Sequence, residues 1–120
     1  MKDLKISKEL IKNVLAEETE NLSEDFSFDI DEDYIVFRDE GETLFDYNIY
    51  KFAFKCKEWA YKNFKIMLIS HYTGQCYING DLSPLILNWW NNTKSYQIES
   101  DTEVGAIIQA CNWVLKQERF

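Results

Sequence analysis

The sequence predicts an α+β fold, a two-layer domain in which two or three long helices pack on an antiparallel sheet. Three observations predict it. Apolar residues recur at helical spacing around 7–20, 48–63 and 101–117. Between these stretches, short runs rich in aromatic and β-branched residues alternate with polar ones. Only four Gly and one Pro occur in 120 residues, too few for long linkers. This length suits one domain with a single core. The expectation is therefore one domain over 1–120, made of an acidic helix-plus-hairpin segment at 1–47 and a helix–hairpin–helix core at 48–120.

Ser7 is placed to cap a first helix over about 7–20, with Ile6 and Ile11 as a hydrophobic staple. Leu10, Ile11, Val14 and Leu15 form its apolar face. Phe26, Phe28 and Ile30 then alternate with Ser27, Asp29 and Asp31, the pattern of a half-buried strand. Tyr34 to Arg38 supplies a second strand, and Asp39-Glu40-Gly41 turns into a third from Thr43 to Tyr47. The expected product is a meander with an acidic outer face.

Asn48 or Asp46 caps the next helix, expected over about 48–63, with Ile49, Phe52, Ala53, Cys56, Trp59 and Ala60 on one face. Tyr50, Phe54 and Tyr61 make a second stripe, which predicts packing on two sides. Residues 65–79 read as a hairpin turning at Thr73-Gly74. Ser83-Pro84 has the form of a helix start leading into LILNWW, and Tyr96 to Ile98 adds a strand. Ser100 and Glu103 fit a capping box for the last helix, whose apolar face is Val104, Ile107, Ile108, Cys111, Val114 and Leu115. Gly105 costs that helix up to ~1 kcal/mol relative to Ala, which marks close packing there.

The net charge of −8 is unevenly spread. Residues 1–47 hold fifteen acids against five bases, and residues 48–120 hold six against eight. Such a field disfavours nucleic acid and anionic membranes and favours a basic protein partner, or serves solubility alone. No apolar run has the length of a membrane span, and charge interrupts the first dozen residues, so no signal peptide is expected. Three cysteines, Cys56, Cys76 and Cys111, are an odd number without close pairs, as expected of reduced thiols in a cytoplasm. Oligomeric state has no signature in the sequence.

Three constellations could carry function. Asp29, Asp31, Asp33 and Glu40 fall at positions 1, 3, 5 and 12 of a calcium loop, with Val36 at its apolar eighth position, but Tyr34 stands where the turn needs Gly. Solvated strand and turn carboxylates are the plainer reading. His71, the only histidine, lies five residues from Cys76 across the expected turn, the one candidate pair for nucleophilic catalysis. The adjacent Trp89 and Trp90, among asparagines, are candidate interface anchors. Cys56 and Cys111 sit on apolar helix faces and read as core. No zinc spacing, Gly-rich phosphate loop or Gly-x-Ser-x-Gly elbow is present, so no cofactor is expected.

The run DTEVGAIIQACNWVLKQ, residues 101–117, resembles a tail found in small uncharacterised proteins of bacteriophages and prophages. Asp101, Thr102, Glu103, Ala106, Ile107, Ala110, Cys111 and Trp113 carry the resemblance. The helix FAFKCKEWAYK, residues 52–62, is similar to their central Lys-Cys-x-Glu-Trp-Ala segment. The likeness covers roughly 48–117 and leaves the acidic third unmatched. It implies a mobile-element origin in a bacterial cytoplasm and assigns no catalytic role. The order of elements over 48–118 also matches a double-stranded-RNA-binding domain in outline, though such a domain needs a basic face. The sequence thus points to a non-enzymatic protein–protein interaction module of bacterial or phage origin. The alternatives are an acidic nucleic-acid mimic that inhibits a host protein, a small Cys/His enzyme, and a calcium-responsive module.

Overall fold

The computed structural model describes residues 4–80 and 96–117. Among them the order is α1 (Lys8–Val14), α2 (Ala16–Thr19), β1 (Ser27–Asp31), β2 (Tyr34–Asp39), β3 (Glu42–Asn48), α3 (Ile49–Phe64), β4 (Ile66–His71), β5 (Gln75–Gly80), β6 (Tyr96–Glu99) and α4 (Glu103–Gln117). The class is α+β with antiparallel strands, but the strands divide into two three-stranded sheets, β1-β2-β3 and β4-β5-β6. The division follows from Asn48. It ends β3 and also caps α3, so the chain leaves the first sheet before the second begins.

Ser7 caps α1 as its spacing predicts, its hydroxyl accepting from the Leu10 N–H at 3.0 Å, and both staple residues, Ile6 and Ile11, are buried. The same hydroxyl donates to Asn112 Oδ1 at 3.0 Å, tying this end of the chain to α4. The single helix expected over 7–20 is instead two. Leu15 leaves helical geometry at φ −108° and ψ 48°, and α2 starts again at Ala16. No Gly or Pro marks the break. The Leu15 carbonyl accepts twice from Thr19, from its N–H at 3.0 Å and its hydroxyl at 2.8 Å, which closes the second turn.

In the first sheet the inner face gathers Phe28, Ile30, Ile35, Phe37, Phe45 and Tyr47. Phe37 is its centre, with ring centroids 6.1 Å from Phe26, 6.3 Å from Phe28 and 4.7 Å from Phe45. The opposite face aligns Asp29, Val36 and Asp46 across the three strands, with Asp31 further along β1. The two-residue turn Glu40-Gly41 has φ of 54° and 81°, the type I′ geometry that suits a twisted hairpin. Asp39, just before it, accepts from the Ser23 hydroxyl and N–H, and these bonds hold its carboxyl below the usual range.

Asn48 Oδ1 accepts from the N–H groups of Tyr50 and Lys51 at 2.9 and 3.1 Å, and α3 ends at Lys65 in a left-handed conformation, φ 58°. Helices α3 and α4 contact each other and the second sheet. Ile66, Leu68, Cys76 and Ile78 are the buried strand residues, whereas Met67, Ile69 and His71 on the alternate positions of β4 are exposed. Small residues at the helix pair, Ala53, Cys56 and Ala60 on α3 with Ala106, Ala110 and Cys111 on α4, are all buried.

The β4–β5 turn is the three residues 72–74, closed by Gly74 N–H to the His71 carbonyl at 3.0 Å. The Gly74 carbonyl in turn accepts from the Ser100 N–H at 2.8 Å, so the turn is bonded to the chain just before α4. The Ser100–Glu103 capping box does not form. Thr102 caps α4 by accepting from the Gly105 N–H at 3.0 Å, and Glu103 accepts from the Ser70 hydroxyl at 2.6 Å instead. The bond to Gly74 is made by the Ser100 N–H, the group a Glu103 carboxylate would have capped. No helix of the described residues is long and apolar enough to cross a membrane.

Candidate functional site

The four carboxylates of the calcium spacing do not converge. Asp29 and Asp31 lie on β1, Asp33 sits in the β1–β2 turn, and Glu40 sits in the turn at the opposite end of β2. Six strand residues separate the two turns, about 20 Å of extended chain. Tyr34, at the position that requires Gly, opens a strand rather than a loop. Asp29 is salt-bridged to Arg38. Among the described residues no group of three or more His, Cys, Asp or Glu is placed to hold a metal ion.

His71 and Cys76 are likewise kept apart. In the β4–β5 register Ser70 faces Cys76 and His71 faces Gln75, so the imidazole and the thiol project from opposite sides of the sheet. His71 is exposed, its ring edge-on to Tyr77 at 5.8 Å, while Cys76 is fully buried. Burial, aided by nearby Cys111, pushes the Cys76 thiol up to about 12, the reverse of what a nucleophile needs. The Cys/His pair is therefore not a catalytic site. Trp89 and Trp90 lie outside the described residues, as does the helix expected from Ser83-Pro84.

The expectation that α3 packs on two sides is also corrected, and the correction uncovers a site. Tyr50, Phe54 and Tyr61 are 54%, 64% and 51% exposed, so their stripe faces solvent. The first sheet, which could have covered it, meets α3 elsewhere: the ammonium groups of Lys51 and Lys55 lie over the Tyr47 ring, and Lys55 pairs with Glu18 at 3.5 Å.

Beside this stripe runs a groove of about 390 Å³. Tyr50, Ala53, Phe54 and Lys57 of α3 form one wall, and the first turns of α4 with Asp101 and Thr102 form the other. Tyr72, in the β4–β5 turn and 86% exposed, stands at the rim. Its floor is apolar, with Ala53, Val104 and Ile107 buried. Two structural ties hold the far wall. The Gly74–Ser100 bond joins the Tyr72 turn to the start of α4, and Ser70 fixes the Glu103 carboxylate. Gly105 permits the tight first turn, since a Cβ there would stand 2.5 Å from Ser100 Oγ. Neither Asp101 nor Glu103 is ion-paired with Lys57.

All three cysteines are buried and free. Cys111 Sγ reaches the Cys56 carbonyl at 3.5 Å, and burial raises the Cys56 thiol well above its ordinary value. Sequence reasoning did not find the groove, because Tyr72 and Asp101 belong to no periodic pattern. Its one advance signal was the second stripe on α3. Compared with family models, curated proteins and solved structures, the chain matches none.

Proposed function

We propose that this protein is a non-enzymatic protein-binding module of bacterial or phage origin, folded as one domain, which engages its partner through the aromatic side of α3. The observation that carries the reading is the set of Tyr50, Phe54 and Tyr72 around an apolar floor. Each ring is more than half exposed, and among the described residues none of the three is stacked on another ring. Aromatic residues are the usual anchors of protein interfaces, and a rim this apolar costs solubility unless a partner covers it.

The test is affinity capture from bacterial lysate with the native chain and with a Tyr50→Ser, Phe54→Ser variant, both shown by circular dichroism to be folded. A partner held by the native chain and lost by the variant is the expected result. Equal capture by both removes the α3 face from consideration, and no capture at all refutes the reading.

A second reading, an acidic nucleic-acid mimic, draws on the Asp29, Asp31 and Asp46 face of the first sheet. Arg38 beside Asp29 interrupts that face. Salt-sensitive binding abolished by Asp31→Asn, Asp46→Asn would favour it over the α3 face. The helix–strand–strand–strand–helix order of α3 to α4 is that of a double-stranded-RNA-binding domain, but Asp101 and Glu103 at the start of α4 repel phosphate.

A further inference from the structure

Building on the protein-binding reading, we infer that the α3–α4 groove takes a partner segment carrying an arginine beside a branched apolar side chain. The floor selects the apolar element. Ala53, Val104 and Ile107 present a dry surface that one aliphatic side chain would complete. The volume, about 390 Å³, is near the lower end of ligand pockets, which holds one or two side chains and not a whole helix.

The walls select the cation. Among the described residues, three π faces, from Tyr50, Phe54 and Tyr72, and two carboxylates, Asp101 and Glu103, stand against one ammonium, that of Lys57. An occupant that complements this lining is positive. Arginine serves better than lysine, because a guanidinium stacks flat on a ring while its edge donates to a carboxylate. Glu103 is preorganised for that role by Ser70, which spares part of the ordering cost on binding. Lys57 then supplies a charged donor in the groove, suited to a backbone carbonyl of the docked segment. The net charge of −8 draws the same kind of partner from a distance.

The test titrates the full isotope-labelled chain with acetyl-Leu-Arg-Leu-Arg-amide and follows amide resonances. Companion peptides carry citrulline, which keeps the shape of arginine without its charge, or glutamate. The expected result is that the arginine peptide shifts resonances of Phe54, Lys57, Tyr72, Thr102 and Val104. The citrulline peptide should bind about tenfold more weakly and the glutamate peptide not measurably. Phe54→Ala and Asp101→Asn, both at exposed positions, should each weaken the arginine peptide severalfold and leave the circular dichroism unchanged. Shifts confined to the first sheet, equal binding of the citrulline peptide, or no binding of any peptide overturns the inference. If a lysate partner is still lost with Tyr50→Ser, Phe54→Ser while arginine shows no advantage, the binding face stands and only the partner chemistry assigned here fails.

Discussion

Replacing Gly74 with alanine should be far more damaging than its place in an exposed hairpin suggests. Gly74 has φ of 98°, and a Cβ there would stand 2.0 Å from the Ser100 carbonyl oxygen and 3.1 Å from its carbon. The conformation alone costs an L-residue about 1–2 kcal/mol. The clash is with backbone, so no side chain can rotate to relieve it. Residues 74 and 100 must separate, which sacrifices the 2.8 Å bond between them, worth about 1 kcal/mol. The sum is about 2–3 kcal/mol, or roughly 8–12 °C in Tm for a chain of this size. Gly41→Ala supplies the control. Its φ is 81°, yet nothing lies within 4 Å of the added carbon, so only the conformational cost of about 1–2 kcal/mol applies. Urea and thermal denaturation of both variants, followed by circular dichroism, separate the two contributions. If Gly74→Ala loses no more stability than Gly41→Ala, the start of α4 is not pinned to the β4–β5 turn and the groove has no fixed far wall.

Phe37→Ala should cost about 3–5 kcal/mol, because it empties the centre of a four-ring cluster, while Phe54→Ala on the surface should change stability by less than about 0.5 kcal/mol; urea titration compares them. The folded chain at neutral pH should leave all three thiols unreacted with a disulfide reagent and yield three on unfolding in guanidinium, and a fast-reacting thiol in the native state would contradict the burial described. Asp39 has a depressed pKa when folded, from the Ser23 hydroxyl and N–H, so its contribution is present above the unfolded value of 3.8 and lost as pH falls through the folded one. Asp39→Asn should therefore melt lower than the native chain at neutral pH, with the gap closing under acid; a gap that persists in strong acid would show that the charge is not the cause.

Much of the fold was legible because burial writes itself into spacing. Asn48 as the cap of α3, the period-two run from Phe26 to Ile30, and the turn at Gly74 each follow from local rules that tertiary contacts did not override. The failures have a common origin in contacts between distant residues. The break at Leu15 is the exception, a local departure from helical φ and ψ that no Gly or Pro announces. Glu103 satisfies a capping box on paper, but Ser70, thirty-three residues away, takes its carboxylate, and Ser100 is committed to Gly74. The calcium spacing failed for a related reason. Regular spacing of carboxylates describes a strand as well as a loop, and only the pairing of Asp29 with Val36 and of Asp31 with Tyr34 decides between them. Part of the groove is written in the sequence, since Tyr50 and Phe54 belong to the second stripe of α3, which predicts packing on two sides. That no segment of the described chain supplies it could be learned only from the assembled molecule.

The shielding of the three sulfurs carries a consequence for where this chain can work. Cys56, Cys76 and Cys111 are all fully buried, so no sulfur is open to an oxidant or a disulfide while the fold holds. An oxidising compartment would find almost nothing to oxidise while the fold holds, and a reducing one nothing to protect. The cysteines therefore record the fold and not the redox state of its surroundings, and oxidation threatens them only before the chain has folded.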